Sequence, residues 1–457
     1  MLETQIKNEL IKIVGKDRYL DRQEEIFCYA YDAFLVESLP DAVIFPETTH
    51  EVSKILQAAS RHKIPVTGRG AGTSLCGASV PIRQGIVLCF SKMDKIIEVN
   101  TRDRHIIVQP GVVNADVQKA LLPFRFFYPP DPGSMNTSTI GGNIAMNAGG
   151  PRCLKYGVTA DYILGMEVVL ASGKIIRFGS KNIKDVTGYK LSSLFCGSEG
   201  TLGVITEATL KVMPIPEAVK TLMVTFDNLD NTAKAVTDII GSGIIPVAME
   251  LMDKLTLNAI EDSANLGLDR KAEGSLLIEI DGVMEACEKE MKKIIEKVKK
   301  NGAVNIQTAA SELERESLWT ARRSAYGVFA KLAPDIITED VTVPVSKVPL
   351  MIRQIMEIAD RYGLKAYILA HAGDGNMHPM IPTDKENKDD WEKVEKAFSE
   401  IFQAAAKLGG TLSGEHGIGL AKAPYLPFVM NKDTMDFIKT IKQAVDPDLI
   451  LNPGKFV

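Results

Sequence analysis

The chain has 457 residues, which exceeds the size that one hydrophobic core usually organises, so two or three domains are expected. With 45% hydrophobic and 24% charged residues, its composition is that of an ordinary globular protein. A formal net charge of -5 excludes the strongly basic surface of most nucleic-acid binders, and no apolar run approaches the roughly 18 residues that a membrane-spanning helix needs.

The N-terminal residues and the cysteines both favour a cytoplasmic protein. The first ten residues mix acidic side chains into an amphipathic pattern and lack the basic start and apolar stretch of an export signal. The six cysteines form no CxxC pair, which argues against a zinc knuckle, an iron–sulfur cluster or a disulfide framework. Reduced thiols are therefore expected, while docking onto a membrane partner stays open.

Short runs rich in Val and Ile, separated by glycine turns, predict strands in the first half of the chain. An amphipathic helix, Glu51 to Arg61, is predicted among them. The predicted strands are Ala42 to Phe45, Gly85 to Phe90, His105 to Val108 and Glu167 to Leu170.

Long helical patterns dominate the second half, and strand-like segments lie between them. This alternation predicts an α+β layer with helices over one sheet, and Met213 to Pro216 marks its beginning. The predicted helices are Met284 to Lys300, Glu312 to Leu332, Val348 to Tyr362 and Asp390 to Leu408, and the predicted strands are Ser275 to Ile280, Asp335 to Thr338 and Lys365 to Ala370.

A glycine-rich loop follows the amphipathic helix, with the sequence Arg69-Gly70-Ala71-Gly72-Thr73-Ser74. Its backbone N–H groups can converge on one anion, and Arg69, Thr73 and Ser74 can add donors, which suits a pyrophosphate. The loop matches neither GxGxxG at the start of a helix nor GxxxxGK[ST], so an NAD fingerprint and a nucleotide hydrolase are not supported. Taken alone, such a loop is more often only a turn.

Three further glycine-rich blocks follow in order, at residues 130–134, 139–150 and 197–206. Together the four blocks resemble the flavin-binding domain of the vanillyl-alcohol oxidase type. From about Asp41 to Val457 the chain resembles the FAD-linked D-2-hydroxy-acid dehydrogenases, which include D-lactate dehydrogenases, glycolate oxidase D subunits and D-2-hydroxyglutarate dehydrogenases.

The resemblance implies an α+β protein with three parts: an FAD-binding domain (1–215), a ferredoxin-like substrate domain (216–410) and a C-terminal segment (411–457) that returns to the flavin. It implies that the loop from Arg69 to Ser74 holds the FAD pyrophosphate. The residues implied to line the rest of the cofactor are Pro132, Gly133, Ser134, Gly141, Gly142, Asn143, Asn147, Gly200, Gly203, Ile205 and Asn452. For Asn452 the alternative is a simple turn after a helix stop.

A non-covalent flavin is expected, although some relatives attach FAD through His or Cys near these loops. The sequence has no histidine between His62 and His105. Cys76, just beyond the glycine loop, is the alternative point of covalent attachment.

Two histidines flank a hairpin signal in the segment from His371 to His378, because Asp374-Gly375 is typical of a two-residue turn. With that turn, His371 pairs directly with His378. The two imidazoles would then share one face, with their Cβ atoms roughly 5 Å apart, a spacing that lets both bind one metal ion.

A second cluster, Ser413 to Gly419, adds a carboxylate and another imidazole. The resemblance implies that His371, His378 and Glu415 bind a divalent cation and that His416 is the catalytic base. Two imidazoles and one carboxylate leave open positions for substrate, and they suit zinc, manganese or iron(II).

The substrate carboxylate requires a cation, and the segment Trp319 to Arg323 matches the family's substrate-arginine motif at Arg322. Arg323 is interpreted as a helix-surface residue. Some relatives that act on longer diacids place an Asn two residues after the second motif histidine, where this chain has Met380. An apolar side chain there favours a short monocarboxylate, D-lactate first and glycolate next.

The sequence therefore predicts FAD-dependent oxidation of a short D-2-hydroxy acid to the 2-oxo acid, with electrons passed to a protein. By family analogy the acceptor is an electron-transfer flavoprotein, with a quinone-linked partner or a separate iron–sulfur subunit as alternatives. Two other functions stay open: an oxidase of the same fold that uses O2, and an electron-transfer subunit without a substrate site of its own.

Overall fold

The computed structural model describes residues 2–456, so Met1 and Val457, the outermost residues of the predicted segments, lie outside it. The described chain forms two compact units. The first unit comprises the chain up to Gly149, residues 157–215 and the chain from Glu415 onward. The second comprises residues 150–156 and 216–414, so it begins with a short segment taken from within the first.

Helices and strands are numbered in chain order, and those up to Ile215 belong to the first unit except for α6. They are α1 (Thr4–Val14), β1 (Tyr19–Leu20), α2 (Gln23–Ile26), β2 (Ala42–Ile44), α3 (Thr49–His62), β3 (Val66–Arg69), β4 (Ile86–Cys89), β5 (Ile96–Asn100), β6 (His105–Val108), α4 (Asn114–Leu121), β7 (Phe126–Phe127), α5 (Ile140–Met146), α6 (Cys153–Tyr156), β8 (Ile163–Val169), β9 (Ile175–Gly179), α7 (Leu191–Phe195), β10 (Val204–Lys211) and β11 (Met213–Pro214).

The first unit contains a four-stranded sheet in the order β1-β2-β4-β3 and a five-stranded sheet in the order β5-β6-β10-β8-β9. In the four-stranded sheet, β4 pairs in parallel with β2 and β3. The five-stranded sheet is antiparallel throughout. The strands predicted in this half of the chain are confirmed, with ends shifted by one or two residues or, for β8, an earlier start.

Helix α3 confirms the predicted amphipathic helix. It begins where the Thr48 hydroxyl accepts a hydrogen bond from the N–H of Glu51 at 3.2 Å, which satisfies one of the open N–H groups of the first turn. Its apolar side, including Ile55 and Leu56, is fully buried in the same core as β2 and β4. The first glycine loop therefore follows a helix and a strand that are both anchored in a hydrophobic core.

The second unit contains the remaining elements up to α13, and α14 belongs to the first unit. They are β12 (Ala218–Phe226), α8 (Leu229–Ile240), β13 (Ala248–Asp253), α9 (Lys254–Ala264), β14 (Gly274–Gly282), α10 (Met284–Lys300), β15 (Ala303–Thr308), α11 (Glu312–Phe329), β16 (Asp335–Thr338), β17 (Val341–Thr342), α12 (Val348–Arg361), β18 (Tyr367–His371), β19 (Asn376–Thr383), α13 (Lys388–Lys407) and α14 (Lys432–Val445).

One antiparallel sheet organises the second unit, in the order β15-β12-β14-β13-β18-β19-β16, with β17 also paired to β19. Four of its strands, β15-β12-β14-β13, have the order and connections of a ferredoxin-like fold, with α9 added between the second and third strands along the chain. The predicted α+β class is thus confirmed. Within residues 2–456, no helix has the length and apolar character needed to cross a membrane.

The last part of the chain returns to the first unit beside β3. Val66 donates its N–H to the carbonyl of Ile450 and accepts from the N–H of Asn452, both at 2.8 Å. Ile450 and Leu451 are buried in the same core as α3. The ammonium group of Lys442, on α14, donates to the carbonyls of Thr201 at 2.6 Å and Leu451 at 2.8 Å, which fixes this segment to the block from 197 to 206.

Candidate active site

The hairpin between β18 and β19 has a different register from the predicted one. His371 pairs with Asn376 and Leu369 pairs with His378, so the predicted direct pairing of the two histidines is wrong. The backbone explains the difference, because the N–H of Ala372 donates to Met249 of β13 at 2.8 Å. Residues 372–375 therefore form a four-residue connection, with Gly375 at φ 85°.

The two histidines nevertheless share one face of the sheet. His371 and Asn376 are directly paired, and His378 lies two residues further along β19, so the histidines are diagonal neighbours. Their ring centroids are 5.1 Å apart and the rings are nearly perpendicular. Both side chains are buried, which restricts their motion and favours a preformed pair of ligands.

A carboxylate that the sequence analysis missed lies behind His371. Glu250, on the neighbouring strand β13, is directly paired with His371 in the sheet. The Nδ1 atom of His371 is 2.7 Å from Oε1 and 2.9 Å from Oε2 of Glu250. Burial would raise the pKa of the Glu250 carboxyl, but His371 and Arg322 outweigh it and the pKa is lowered. An ionised carboxylate can only accept, so Nδ1 of His371 donates and Nε2 is left as the ligand atom.

Arg322 reaches the same carboxylate from helix α11. Its Nε donates to Oε2 of Glu250 at 2.7 Å, and its side chain is only 14% exposed. The neighbouring Arg323 points outward, with a side chain 54% exposed that pairs with Glu316. Arg322, the predicted substrate arginine, and His371, the first predicted metal ligand, are thus joined through one buried acid.

A second missed carboxylate, Asp340, lies near His378. Its Oδ1 atom is 3.9 Å from Nδ1 of His378, and its Oδ2 accepts a hydrogen bond from the hydroxyl of Ser413 at 2.5 Å. Asp340 is fully buried. Because Ser413 begins the second histidine motif, Asp340 connects that motif to the histidine pair.

Strand β17 holds the chain that enters the second motif. Thr411 donates its N–H to the carbonyl of Thr342 at 2.8 Å and accepts one in return. A Cβ atom at Gly414 would lie 2.0 Å from the amide nitrogen of Asn376 and 2.4 Å from Oγ1 of Thr342. Only glycine allows this close approach, which explains the residue type before Glu415.

Glu415 is one peptide bond beyond Gly414, the last residue of the second unit. One possible ligand atom from each of His371, His378 and Glu415 lies within 4.8 Å of the other two. Two nitrogen donors and one carboxylate oxygen at this separation fit a single divalent cation such as zinc, manganese or iron(II). The chain's own residues therefore suit the metal that the sequence predicts.

His416, the candidate base, begins a turn in the first unit that another buried carboxylate fixes. Glu199 accepts from the N–H groups of Ile418 at 2.7 Å and Gly419 at 2.8 Å. Burial raises the pKa of Glu199, although these N–H groups and two lysines oppose the shift. A Cβ at Gly419 would lie 2.1 Å from the carbonyl oxygen of Cys76, so the turn packs closely against the end of the glycine loop.

The first glycine loop has the open backbone groups that a pyrophosphate needs. Within residues 2–456, the backbone N–H groups of Ala71, Gly72 and Thr73 donate no hydrogen bond. Two predicted side-chain donors act differently, however. Arg69 is buried and donates to the carbonyl of Tyr31 at 2.7 Å, and the hydroxyl of Ser74 accepts from two backbone N–H groups at 3.3 Å. These two side chains stabilise the loop, so the open backbone N–H groups are the donors that fit the predicted anion.

The block around α5 combines close packing with an open polar group. The Thr139 hydroxyl accepts from the N–H of Gly142 at 3.4 Å, and a Cβ at Gly70 would lie 2.1 Å from it. A Cβ at Gly141 would lie 2.5 Å from the Cβ of Pro110. Within the described chain, the buried amide nitrogen of Asn143 has no hydrogen-bond partner. Such an open donor fits a cofactor that supplies the missing acceptor.

The remaining predicted flavin residues divide between turns and packing positions. Pro132, Gly133 and Ser134 form a turn in which Met135 donates its N–H to the Pro132 carbonyl at 2.8 Å. The side-chain oxygen of Asn147 accepts from the N–H of Ala160 at 2.9 Å.

Four more of these residues lie in or beside the block from 197 to 206. A Cβ at Gly203 would lie 2.5 Å from Val168, and Ile205 pairs with Val168 in the five-stranded sheet. Asn452 donates to the carbonyls of Ala78 at 2.8 Å and Glu199 at 2.7 Å, and Gly200, at φ 70°, lies beside its amide. Asn452 thus joins the segment that follows the glycine loop to the block from 197 to 206.

Comparisons with known proteins define the class to which this fold belongs. The solved structure of p-cresol methylhydroxylase superposes with a TM-score of 0.83 at 18% identity, covering 99% of this chain and 96% of that one. An alkyldihydroxyacetonephosphate synthase structure gives 0.79 at 20% identity, covering 100% and 86%. At such identities the likeness shows the fold alone, which is that of the vanillyl-alcohol oxidase type.

The chain belongs to the family of FAD-linked oxidases. The model of the FAD binding domain matches residues 40–179, and that of the C-terminal domain of FAD linked oxidases matches residues 215–456. The chain is similar to the glycolate oxidase subunit GlcD of Bacillus subtilis, 49% identical over 100% of this chain and 97% of the relative. It is also similar to the D-lactate dehydrogenase of Archaeoglobus fulgidus, 36% identical over 91% of each chain.

Proposed function

We propose that this protein uses non-covalently bound FAD and a divalent metal to oxidise a short 2-hydroxy acid, D-lactate or glycolate, to the 2-oxo acid. The observation that carries the proposal is the group of His371, His378 and Glu415, whose ligand atoms lie within 4.8 Å of one another. Arg322 is tied through Glu250 to one member of that group. A pure electron carrier needs neither a metal site nor an arginine for a carboxylate.

Binding and orientation are the roles of Arg322 and the ligand triad. The guanidinium of Arg322 binds the substrate carboxylate, for which its fork-shaped donors are suited. His371, His378 and Glu415 would hold the metal, which when bound stabilises negative charge on the substrate oxygen as a Lewis acid.

Proton removal is the role of His416. Its imidazole takes the proton of the substrate hydroxyl, and the turn fixed by Glu199 keeps the ring in place. FAD, when bound, would supply the redox chemistry that oxidises the α-carbon of the substrate by removal of a hydride. The backbone N–H groups of residues 71–73 and the Asn143 amide bind and orient that cofactor.

The burial of Cys76 supports a non-covalent flavin. Burial raises the pKa of its thiol, with the nearby carboxylate of Glu199 adding to the shift. A thiol that resists ionisation is a poor nucleophile for attachment to a flavin.

A short substrate is supported by Met380 and by the relatives. Met380 is 1% exposed and lies in the apolar cluster with Trp319 and Phe329. It offers no hydrogen bond to a second carboxylate. The similar proteins described above are named for glycolate and D-lactate, both small monocarboxylates.

Electrons would leave the protein through a partner that carries another redox centre, an electron-transfer flavoprotein or an iron–sulfur subunit. The name of the Bacillus subtilis relative describes a subunit, which supports function in an assembly. A cytoplasmic location is part of the proposal, supported by the six free and mostly buried cysteines.

Anaerobic mixing tests the proposal. Purified protein is mixed without oxygen with D-lactate, L-lactate, glycolate or D-2-hydroxyglutarate while the absorbance of oxidised flavin is followed. We expect bleaching by D-lactate or glycolate, loss of bleaching after chelation, and recovery with Mn²⁺ or Zn²⁺. A flavin that stays oxidised with all four acids would contradict the substrate assignment and favour an electron-carrier subunit.

The His378→Ala variant tests the metal assignment, with His62→Ala as its control. Removing one of three ligands should lower turnover by at least about 100-fold while the flavin remains bound, since loss of a residue that merely hydrogen-bonds to a metal ligand can cost about 10- to 100-fold. His62 lies near Glu9 on the surface of the first unit, so its variant should behave as the wild type. Unchanged turnover in His378→Ala, with metal content measured in parallel, would refute the metal role.

A further inference from the structure

We propose that Glu250 is a positioning residue that prepares two functional groups at once: His371 for the metal and Arg322 for the substrate carboxylate. The inference rests on the proposed function, because it assigns no chemistry of its own to Glu250. It predicts that binding of the metal and binding of the substrate carboxylate both depend on Glu250.

The geometry of the Glu250 carboxylate carries this inference. Oε1 accepts from Nδ1 of His371 at 2.7 Å, and Oε2 accepts from Nε of Arg322 at 2.7 Å and lies 2.9 Å from Nδ1 of His371. Glu250 has no exposed surface. Both oxygens are therefore used, and each is used by a residue with a proposed role at the site.

The effect on His371 is to choose its tautomer. A buried imidazole can carry its proton on either ring nitrogen, and the one without the proton has the lone pair that binds a metal. The carboxylate holds the proton on Nδ1, so Nε2 is the nitrogen that carries the lone pair for a metal. Carboxylate partners of this kind orient metal-binding histidines and raise their basicity.

The effect on Arg322 is to leave one edge of its guanidinium available. Glu250 accepts a hydrogen bond from Nε alone, and within residues 2–456 neither Nη atom of Arg322 donates a hydrogen bond. The pair formed by these two atoms matches the two oxygens of a carboxylate. Glu250 thus fixes the plane of the guanidinium without occupying the edge that would bind substrate.

The same sheet offers a matched control in Glu279 of β14, another buried glutamate that accepts from an arginine of α11. Its partners are Arg315, Trp319 and Thr221, and no histidine is among them. A glutamine at either position keeps the side-chain volume but replaces one acceptor oxygen with a donor. Both variants should lose stability, and only Glu250→Gln should change the two binding reactions.

The experiment measures binding without turnover. Flavin-loaded wild type, Glu250→Gln, Glu250→Asp and Glu279→Gln are titrated with Mn²⁺, and free Mn²⁺ is followed by electron paramagnetic resonance at a temperature well below unfolding. We expect Mn²⁺ to bind about 10- to 100-fold more weakly to Glu250→Gln, and Glu250→Asp to recover part of the loss. Glu279→Gln should bind Mn²⁺ within twofold of the wild type.

A second titration isolates Arg322. Metal-free protein is titrated calorimetrically with 2-hydroxy-2-methylpropanoate, which has the carboxylate and hydroxyl of the substrate but no hydrogen on its α-carbon. We expect at least 10-fold weaker binding to Glu250→Gln than to Glu279→Gln.

Equal Mn²⁺ and analogue affinities in the two glutamine variants would overturn the inference and reduce Glu250 to a structural residue. That result is distinguishable from failure of the proposed function. If His378→Ala also binds Mn²⁺ like the wild type, the metal site itself is refuted; if His378→Ala loses Mn²⁺ and Glu250→Gln does not, only the role of Glu250 is.

Discussion

Helix α11 is attached to its sheet by two buried arginine–carboxylate pairs that differ in what else the carboxylate binds. Arg315 donates to Glu279 through Nε at 2.7 Å and Nη2 at 2.9 Å, a two-pronged pair. Arg322, two turns later on the same side of the helix, donates to Glu250 through Nε alone.

The difference shows how the same pair of residue types can anchor a helix in one place and, under the proposed function, support a substrate and metal site in another. Glu279 is saturated by groups whose only partners are structural, including the indole N–H of Trp319 at 2.7 Å. Glu250 shares its oxygens with His371 and leaves part of its arginine open. A buried arginine–carboxylate pair whose other partners are all structural anchors a helix. A pair whose carboxylate also binds a histidine, and whose arginine keeps unused N–H groups, indicates a functional site.

The largest expected effect comes from exchanging each arginine for lysine. A lysine has no planar fork, so Arg322→Lys should lower kcat/KM by about 100-fold, equivalent to one or two lost charge-assisted hydrogen bonds, with little change in melting temperature. Arg315→Lys should do the reverse, with kcat/KM near the wild-type value and a lower melting temperature. Steady-state kinetics and thermal unfolding of both variants make the comparison, and equal kinetic losses in both would remove the distinction.

Stability is expected to depend more on Glu279 than on any surface pair. Replacing Glu279 by Gln removes the buried ionised partner of Arg315 and leaves only the more exposed Glu312 and Glu316, and breaking a buried pair from one side costs about 3 kcal/mol. The free energy of unfolding in urea measures this loss. A variant as stable as the wild type would show that the pair does not hold α11.

The pH dependence of stability also tests the contribution of the Glu279–Arg315 pair. Burial would raise the pKa of Glu279, but Arg315, Trp319 and Thr221 outweigh it and lower the pKa from its usual 4.5. Its contribution to stability is therefore complete above about pH 4.5 and is lost as the pH falls through the lowered value. Below pH 4.5 the wild type should lose stability more steeply than Glu279→Gln, and parallel curves would contradict this assignment.

The smallest effect is expected at Arg323, the neighbour of Arg322. Its side chain is 54% exposed and its partner Glu316 is 48% exposed. Such surface pairs contribute well under 1 kcal/mol, so Arg323→Ala should change neither kcat/KM nor the free energy of unfolding by a measurable amount. A large kinetic loss would mean that the motif's arginine has been assigned to the wrong position.

Much of the fold could be predicted because local patterns determine it. Helix α10 has the predicted bounds, Met284–Lys300, since its apolar residues recur with helical spacing on one face. The glycine blocks are equally informative, because positions such as Gly70 and Gly141 permit approaches that a Cβ would prevent.

The register of the hairpin could not be predicted, because it depends on a neighbouring strand. Asp374-Gly375 indicates a tight turn locally, but β13 takes the N–H of Ala372 and moves the last pair back to His371 and Asn376. Pairing with a strand more than 100 residues earlier leaves no local signal. The prediction that the two histidines share one face is still correct, because a register shift of two residues leaves each side chain on the same face of the sheet.

The supporting carboxylates were missed although a signal was present. Glu250 lies in Met249-Glu250-Leu251, and Glu279 in Ile278-Glu279-Ile280, acidic residues inside apolar strands. A charge at such a position must be paired when it is buried. Identifying the partners, however, requires the helix that crosses the sheet.

The return of the chain beside β3 has a consequence for biosynthesis. A ribosome releases residues of the first unit long before Ile450 and Leu451, which complete its core. Until residues 450–452 have been made, Val66 lacks the backbone partners that they supply. Domains that lie early in a chain usually fold while it is still being made. Here the core of the first unit is complete only when Ile450 and Leu451 are present, so a nascent chain stopped shortly before residue 450 should remain accessible to proteases and chaperones.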